Sequence, residues 1–205
     1  MLERLEIDLR VVGAPEPSGP LLLVANHVSW VDILALHSVC PCRFVAKADV
    51  ERWPLVGTLV TGGGTLYVKR ESRRDAMRVV HRMTEALHDG DILAVFPEGT
   101  TSDGSSMLPF HSGLIQAAIS ADAPVQPVAV QIIDQSSGQP SRAVSYMGDE
   151  SLAGSVWRTL RARNLCALVT FGAPQRADGR DRRAWARDLR SEIVAMRSRA
   201  ALRSA

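Results

Sequence analysis

The chain has 205 residues, of which 46% are hydrophobic and 22% charged, and a formal net charge of +2. That length and balance suit one globular domain spanning residues 1–205 and exclude collagen-like, coiled-coil and disordered classes. Cys40, Cys42 and Cys166 have no framework spacing, which points to a reducing compartment. The Cys40-Pro41-Cys42 pair lacks the second pair that a zinc site needs.

The elements alternate along the chain. Leu5 to Val12 reads as a strand, Pro15 to Pro20 as a loop, and the continuous apolar run Leu21 to Ala25 as a buried strand. A helix is expected from Trp30 to Val39 and short strands at Arg43 to Ala46 and Thr65 to Val68, the latter after the permissive Gly62-Gly63-Gly64. Arg73 to His88 carries Ala76, Met77, Val79, Val80, Met83, Ala86 and Leu87 at helical spacing, stopped by Asp89-Gly90. Ile92 to Phe96 reads as a buried strand and Gly113 to Ser120 as a helix. Val125 to Ile133 reads as a strand interrupted by Pro127, and Ala143 to Met147 as a short strand. A helix at Ser151 to Arg163, a strand at Leu165 to Phe171 and a basic helix at Arg182 to Leu202 close the chain. Such alternation predicts an α/β fold with a mostly parallel central sheet flanked by helices.

Charge is unevenly spread. From Val156 onward twelve arginines face four acids, giving +8, and the preceding 155 residues carry −6. A basic tail suits an anionic membrane surface, and it also suits a solvated helical face in an Arg-rich chain. Nucleic acid is not expected as a partner, because only 5% of residues are aromatic and the basic helix carries no recognised motif. No apolar run approaches the ~18–20 residues of a spanning helix. The expectation is a chain that lies on a membrane, with any N-terminal anchor outside this sequence.

Four segments carry candidate chemistry. Asn26-His27-Val28-Ser29-Trp30-Val31-Asp32 interrupts the most apolar part of the chain, where unpaired polar groups are costly. On one ideal helix His27 and Asp32 would point about 140° apart, at ~100° per residue. They meet only if His27 precedes the helix, with Ser29 as N-cap and Asp32 at the third helical position. Asp32 could then hold one imidazole nitrogen and leave the other as a general base, or it could merely complete a capping box. Phe96-Pro97-Glu98-Gly99-Thr100-Thr101-Ser102 follows a strand, at the sheet edge where ligands bind in open α/β folds. Its Glu98 is either a ligand-contacting carboxylate or a loop anchor. Gly64-Thr65-Leu66-Tyr67-Val68-Lys69-Arg70 ends in two cations suited to an anion, and Lys47 could add to that pocket. Val125-Gln126-Pro127-Val128 shapes a wall.

Taken in order, Asn-His-x4-Asp, Gly-x-x-Tyr-Val-x-Arg, Phe-Pro-Glu-Gly-Thr and Val-x-Pro-Val resemble the glycerolipid acyltransferase family, whose best-known members are the 1-acyl-glycerol-3-phosphate acyltransferases. The resemblance runs from about Leu5 to Arg197 and includes Tyr146-Met147-Gly148-Asp149 to Trp157. It implies that His27 is the general base and Asp32 orients it, with the acceptor hydroxyl attacking the thioester directly and no acyl-enzyme. It implies that Arg70 binds the acceptor phosphate and that Glu98, Gly99 and Thr100 bind the acceptor. It implies no cofactor and no metal, an acyl carrier protein or coenzyme A thioester as co-substrate, and a peripheral place on the cytoplasmic face of the inner membrane.

Lysophosphatidate is the first acceptor expected. Many phosphatidate-forming members have Arg where this chain has Thr101, so a lyso-ornithine-type aminolipid is the alternative. Lys69 stands where the family often has Asp and favours an anionic headgroup. Two rivals come from other classes: a non-catalytic lipid-binding relative, and a metal-dependent hydrolase using His27, Asp32 and Glu98.

Overall fold

The five apolar residues Leu21–Ala25 are all fully buried, because they form the middle of a sheet covered on both faces. The structure, a computed structural model, describes residues 2–48, 64–68, 72–146 and 151–203. Among these the strands are β1 (Ile7–Val12), β2 (Leu21–Ala25), β3 (Arg43–Lys47), β4 (Leu66–Val68), β5 (Ile92–Val95), β6 (Val125–Asp134), β7 (Gln139–Pro140) and β8 (Leu165–Phe171). They join one sheet in the order β1-β8-β6-β2-β5-β3-β4, with β7 paired to β6. The pairs β1–β8, β6–β2, β2–β5, β5–β3 and β3–β4 are parallel, and β6 runs antiparallel to β8 and β7.

Two apolar layers sandwich this sheet. One joins helix α1 (Val31–Val39) and the inner side of α4 (Leu152–Arg161) to Leu21, Leu23, Ala94, Val128 and Val130. The other joins α2 (Arg73–His88), α3 (Ile115–Ser120) and α5 (Arg182–Arg203) to Leu22, Val24, Leu93 and Val95. Alternate residues of β2 thus feed opposite layers, as the period of a strand requires. Helix α2 begins where the Ser72 hydroxyl accepts the Asp75 N–H and buries Val79, Met83 and Leu87 at helical spacing. Helix α5 buries Trp185, Leu189, Ile193 and Met196 on one stripe. No helix of the described residues is long and apolar enough to cross a membrane.

Several expectations shift. The first strand starts at Ile7, after a 3-10 turn at Leu2–Leu5. Strand β6 runs unbroken through Pro127. Pro127 has no N–H to donate, but it stays in register with Val24 of β2, lies just outside the β8 ladder that begins at Val128, and its carbonyl accepts the Gly172 N–H at 2.9 Å. Of the strand expected at Ala143 to Met147, the residues Ala143 to Tyr146 are not a strand, and Met147 lies outside the described residues. Arg142–Val144 forms a 3-10 turn capped by Ser141, and the Arg158 guanidinium, not a neighbouring strand, satisfies the carbonyls of Ala143 and Ser145.

Candidate active site

β2 and β5 lie side by side and parallel, so the two polar motifs leave the sheet together at one edge. After Ala25, the Asn26 side chain continues the ladder. Its amide donates to the Val130 carbonyl at 2.9 Å and its oxygen accepts the Val130 N–H at 2.8 Å. Asn26 is therefore committed to structure, and His27 falls in the loop before α1. That helix begins at Val31, and the Ser29 hydroxyl accepts the Val31 N–H at 2.9 Å. The start lies one residue beyond the expected one, yet the reach-back of Asp32 is retained. Its Oδ2 accepts the N–H groups of Val28 at 2.6 Å and Ser29 at 2.9 Å, and lies 3.0 Å from His27 Nδ1. Asp32 is fully buried, whereas the His27 side chain is 17% exposed. With Nδ1–H donating to Asp32, Nε2 carries the free lone pair.

The second motif positions the first. The Phe96 ring stacks on the His27 imidazole with centroids 4.0 Å apart and planes at 13°, and Phe44 stacks on Phe96 at 6.0 Å. Glu98 is buried, and both its oxygens accept backbone N–H groups at 2.8 Å: Oε1 from His27 and Oε2 from Leu108. Of the two sequence readings, its contacts are those of the loop anchor. Burial pushes the Glu98 carboxyl up, against the pull of those two N–H groups and of the His27 and Arg197 charges. The His27 carbonyl accepts both the N–H and the hydroxyl of Ser102. Gly99 has φ +74°, a conformation that favours glycine, and its own N–H is used within the turn on the Phe96 carbonyl. Thr100 is exposed, and the Thr101 hydroxyl donates to the Tyr146 carbonyl.

The structure thus gathers His27, Asp32 and Glu98 around one loop, with Gly99 and Thr100 at its rim. Lys47 ends β3, with its backbone opposite Val68. Arg70, like Lys69, lies outside the described residues. Among the described residues no group of three or more His, Cys, Asp or Glu side chains is arranged to hold a metal ion. Sequence reasoning missed three supports: the Asn26 bridge, the Phe96 stack and Arg197. The first two stand inside the motifs. Arg197 resembles any other arginine of the tail, and nothing local marks it. Beside the loop, a trough of about 770 Å³ between α2 and α3 reaches Gly99 and is walled by Ala76, Met77, Val80 and Leu114.

A histidine held by a buried carboxylate at the strand ends of a largely parallel sheet is an arrangement able to take a proton from a hydroxyl. The comparisons give that arrangement a family. The family model described as "Acyltransferase" matches residues 8–131. The chain is 38% identical over 189 residues to the lyso-ornithine lipid O-acyltransferase of Pseudomonas aeruginosa, covering 92% of this chain and 72% of that one. It is also 38% identical over 173 residues to the 1-acyl-sn-glycerol-3-phosphate acyltransferase of Neisseria meningitidis, covering 83% and 67%. In fold it resembles the crystal structure of the 1-acyl-sn-glycerophosphate acyltransferase PlsC from Thermotoga maritima, with a TM-score of 0.65 and 21% identity over 96% of this chain and 75% of that one. The chain belongs to the acyltransferase family, in the branch that includes these lysolipid O-acyltransferases.

Proposed function

We propose that this O-acyltransferase moves a fatty acyl group from an acyl carrier protein or coenzyme A thioester to the free hydroxyl of lysophosphatidate, giving phosphatidate. The observation that carries the reading is the 3.0 Å contact between His27 Nδ1 and the buried Asp32. It supports His27 Nε2 as the atom that takes the acceptor's hydroxyl proton. The freed oxygen attacks the thioester carbon, the C–S bond breaks, and the departing thiolate takes the proton back from His27. The acceptor itself is the nucleophile, so no acyl-enzyme forms. The trough beside Gly99 supports an apolar chain as part of the substrate. Arg70 and Lys47 are assigned to the acceptor phosphate on sequence grounds, with Gly99 and Thr100 at the acceptor's edge.

One observation favours a second acceptor, lyso-ornithine lipid. The position of Thr101, an arginine in many phosphatidate-forming relatives, is filled here by a neutral hydroxyl engaged with Tyr146, and the Pseudomonas relative carries that activity in its name. A substrate of either kind resides in a bilayer, so we place the protein peripherally on the cytoplasmic face of the inner membrane. The outer face of α4 supports this placement: Trp157 and Leu160 are 61% and 43% exposed, and Arg161 lies over the Trp157 ring. The test supplies each acceptor with each thioester and reads lipid products by mass spectrometry, with His27→Ala as control. Product from one acceptor, absent in the variant, supports the reading and identifies the headgroup. Lipid binding without product from any pair would favour a non-catalytic relative.

A further inference from the structure

Helix α5, the 103–107 loop and the far half of β6 enclose a cavity of about 610 Å³ that the dyad does not use. Three arginines line it: Arg142 from the 3-10 turn after β7, and Arg190 and Arg197 from α5. Arg190 and Arg197 are seven residues apart, about two turns, and so share a face of the helix. Backbone carbonyls hold both in place. Arg190 donates to Leu108 and Met107, and Arg197 donates to Gly104.

A guanidinium carries more N–H donors than these carbonyls use. Arg197 Nε is buried without a hydrogen-bond partner. Among the described residues no hydrogen bond or ion pair engages the Arg142 side chain, and no carboxylate pairs with any of the three arginines. The one acid among the lining residues is Asp103, whose Oδ1 already accepts the Ser105 N–H at 2.9 Å and the Ser105 hydroxyl at 2.6 Å. Three cations around one cavity repel one another, and a buried donor left unpaired is costly. An anion with several oxygens relieves both, and phosphate fits the guanidinium fork.

The place of the cavity suggests whose phosphate it is. Val28, which follows His27, is part of its wall. In the sheet, β6 stands on one side of β2 and β5. On the other side stand β3, which ends in Lys47, and β4, which precedes Arg70. The acceptor phosphate is assigned to that second side. The other reactant also carries a phosphate, because coenzyme A and acyl carrier protein both present the acyl group on a pantetheine arm that ends in a phosphate ester. We propose that Arg142, Arg190 and Arg197 bind the phosphate of the thioester donor's pantetheine arm, so that donor and acceptor approach His27 from opposite sides of the loops after β2 and β5. The assignment rests on acyl transfer from such a thioester.

Arg142 holds no other part of the fold, so Arg142→Ala tests the site without releasing the loop, and melting curves check that it folds. Donor KM is measured with acyl-coenzyme A, with acyl-acyl carrier protein and with acyl-pantetheine, which keeps the thioester but has no phosphate. Arg142→Ala should raise the donor KM about tenfold for a phosphate-bearing donor. The KM values for acyl-pantetheine and for the acceptor should stay near wild type. The donor that shows the rise is the carrier bound here. Arg183→Ala removes an exposed charge of α5 outside the cavity and should leave the donor KM in place. An unchanged donor KM in Arg142→Ala overturns the proposal. So does an equal rise with acyl-pantetheine, with Arg183→Ala or in the acceptor KM. Calorimetry with 4′-phosphopantetheine and pantetheine needs no turnover. Wild type should prefer the phosphorylated form and Arg142→Ala should lose that preference, whereas no preference in wild type overturns the proposal. A wild-type protein that keeps the preference but makes no product from any donor contradicts the acyl-transfer reading alone.

Discussion

The carboxylate of Glu98 holds the backbone of His27 rather than its ring: Oε1 accepts the His27 N–H at 2.8 Å while Oε2 accepts the Leu108 N–H at the same distance. His27 is thus fixed at two points by two different acids, Asp32 at the imidazole and Glu98 at the main chain. Glu98→Gln keeps the shape but turns an amide N–H toward one of those donors. The expected loss in kcat/KM is about 10- to 100-fold, the scale set by displacing a reacting group by about an ångström.

The same variant has a pH signature. Burial raises the folded Glu98 carboxyl above its ordinary value. Its contribution to stability is therefore fully present below the ordinary carboxylate range and lost as pH rises through the raised value. The glutamine side chain of the variant does not titrate. Melting temperatures across that window should show Glu98→Gln gaining on wild type as pH rises. A difference that stays flat, or falls, would contradict the burial account.

Asp32→Asn should lower kcat by about 10²- to 10⁴-fold, because the imidazole loses the anion that fixes its tautomer. It should also cost about 1–3 kcal/mol of stability, since the Val28 and Ser29 N–H groups lose the anionic oxygen to which both now donate. Denaturant unfolding and steady-state kinetics separate the two effects. A variant that loses stability but keeps its rate would make Asp32 only a capping residue.

The dyad was legible before the fold because polar residues in a buried apolar run demand a reason, and the loop-then-helix geometry is the one arrangement in which His27 and Asp32 meet. The sheet was legible because β2, β5, β6 and β8 are apolar at nearly every position, the mark of strands covered on both faces. Glu98 was legible as either a ligand-contacting carboxylate or a loop anchor, but its partners are backbone N–H groups, which no side-chain pattern announces. Arg197 was illegible for the same reason: a helix brings it to the loop across 93 residues, to a carbonyl. Ala143 to Met147 was read as a strand because its composition is apolar enough, and the turn found at Arg142–Val144 is held instead by Arg158 from a distant helix.

Phe96→Leu keeps most of the volume but removes the stacked ring. A ring pair of this geometry contributes about 0.5–1.5 kcal/mol, so kcat/KM should fall by roughly tenfold with a small change in melting temperature. An unchanged rate would mean that Asp32 alone fixes the imidazole.

Replacing Trp157 and Leu160 by Ala should weaken binding to phosphatidylglycerol vesicles by about tenfold or more, because burying each side chain stabilises by roughly 1.5–3 kcal/mol. Both are exposed in the free protein, so the melting temperature should hardly move. Co-sedimentation measures the first and thermal unfolding the second. Equal vesicle binding by variant and wild type would remove α4 from the membrane face.

The central claim is that His27 is the base and the lipid hydroxyl is the nucleophile. It is tested most directly by measuring acyl transfer from a thioester to a lysolipid acceptor in wild type and His27→Ala, with melting curves alongside. The account predicts a loss of about 10³-fold or more in the variant with its fold intact. A folded variant that retains its rate within tenfold would contradict it.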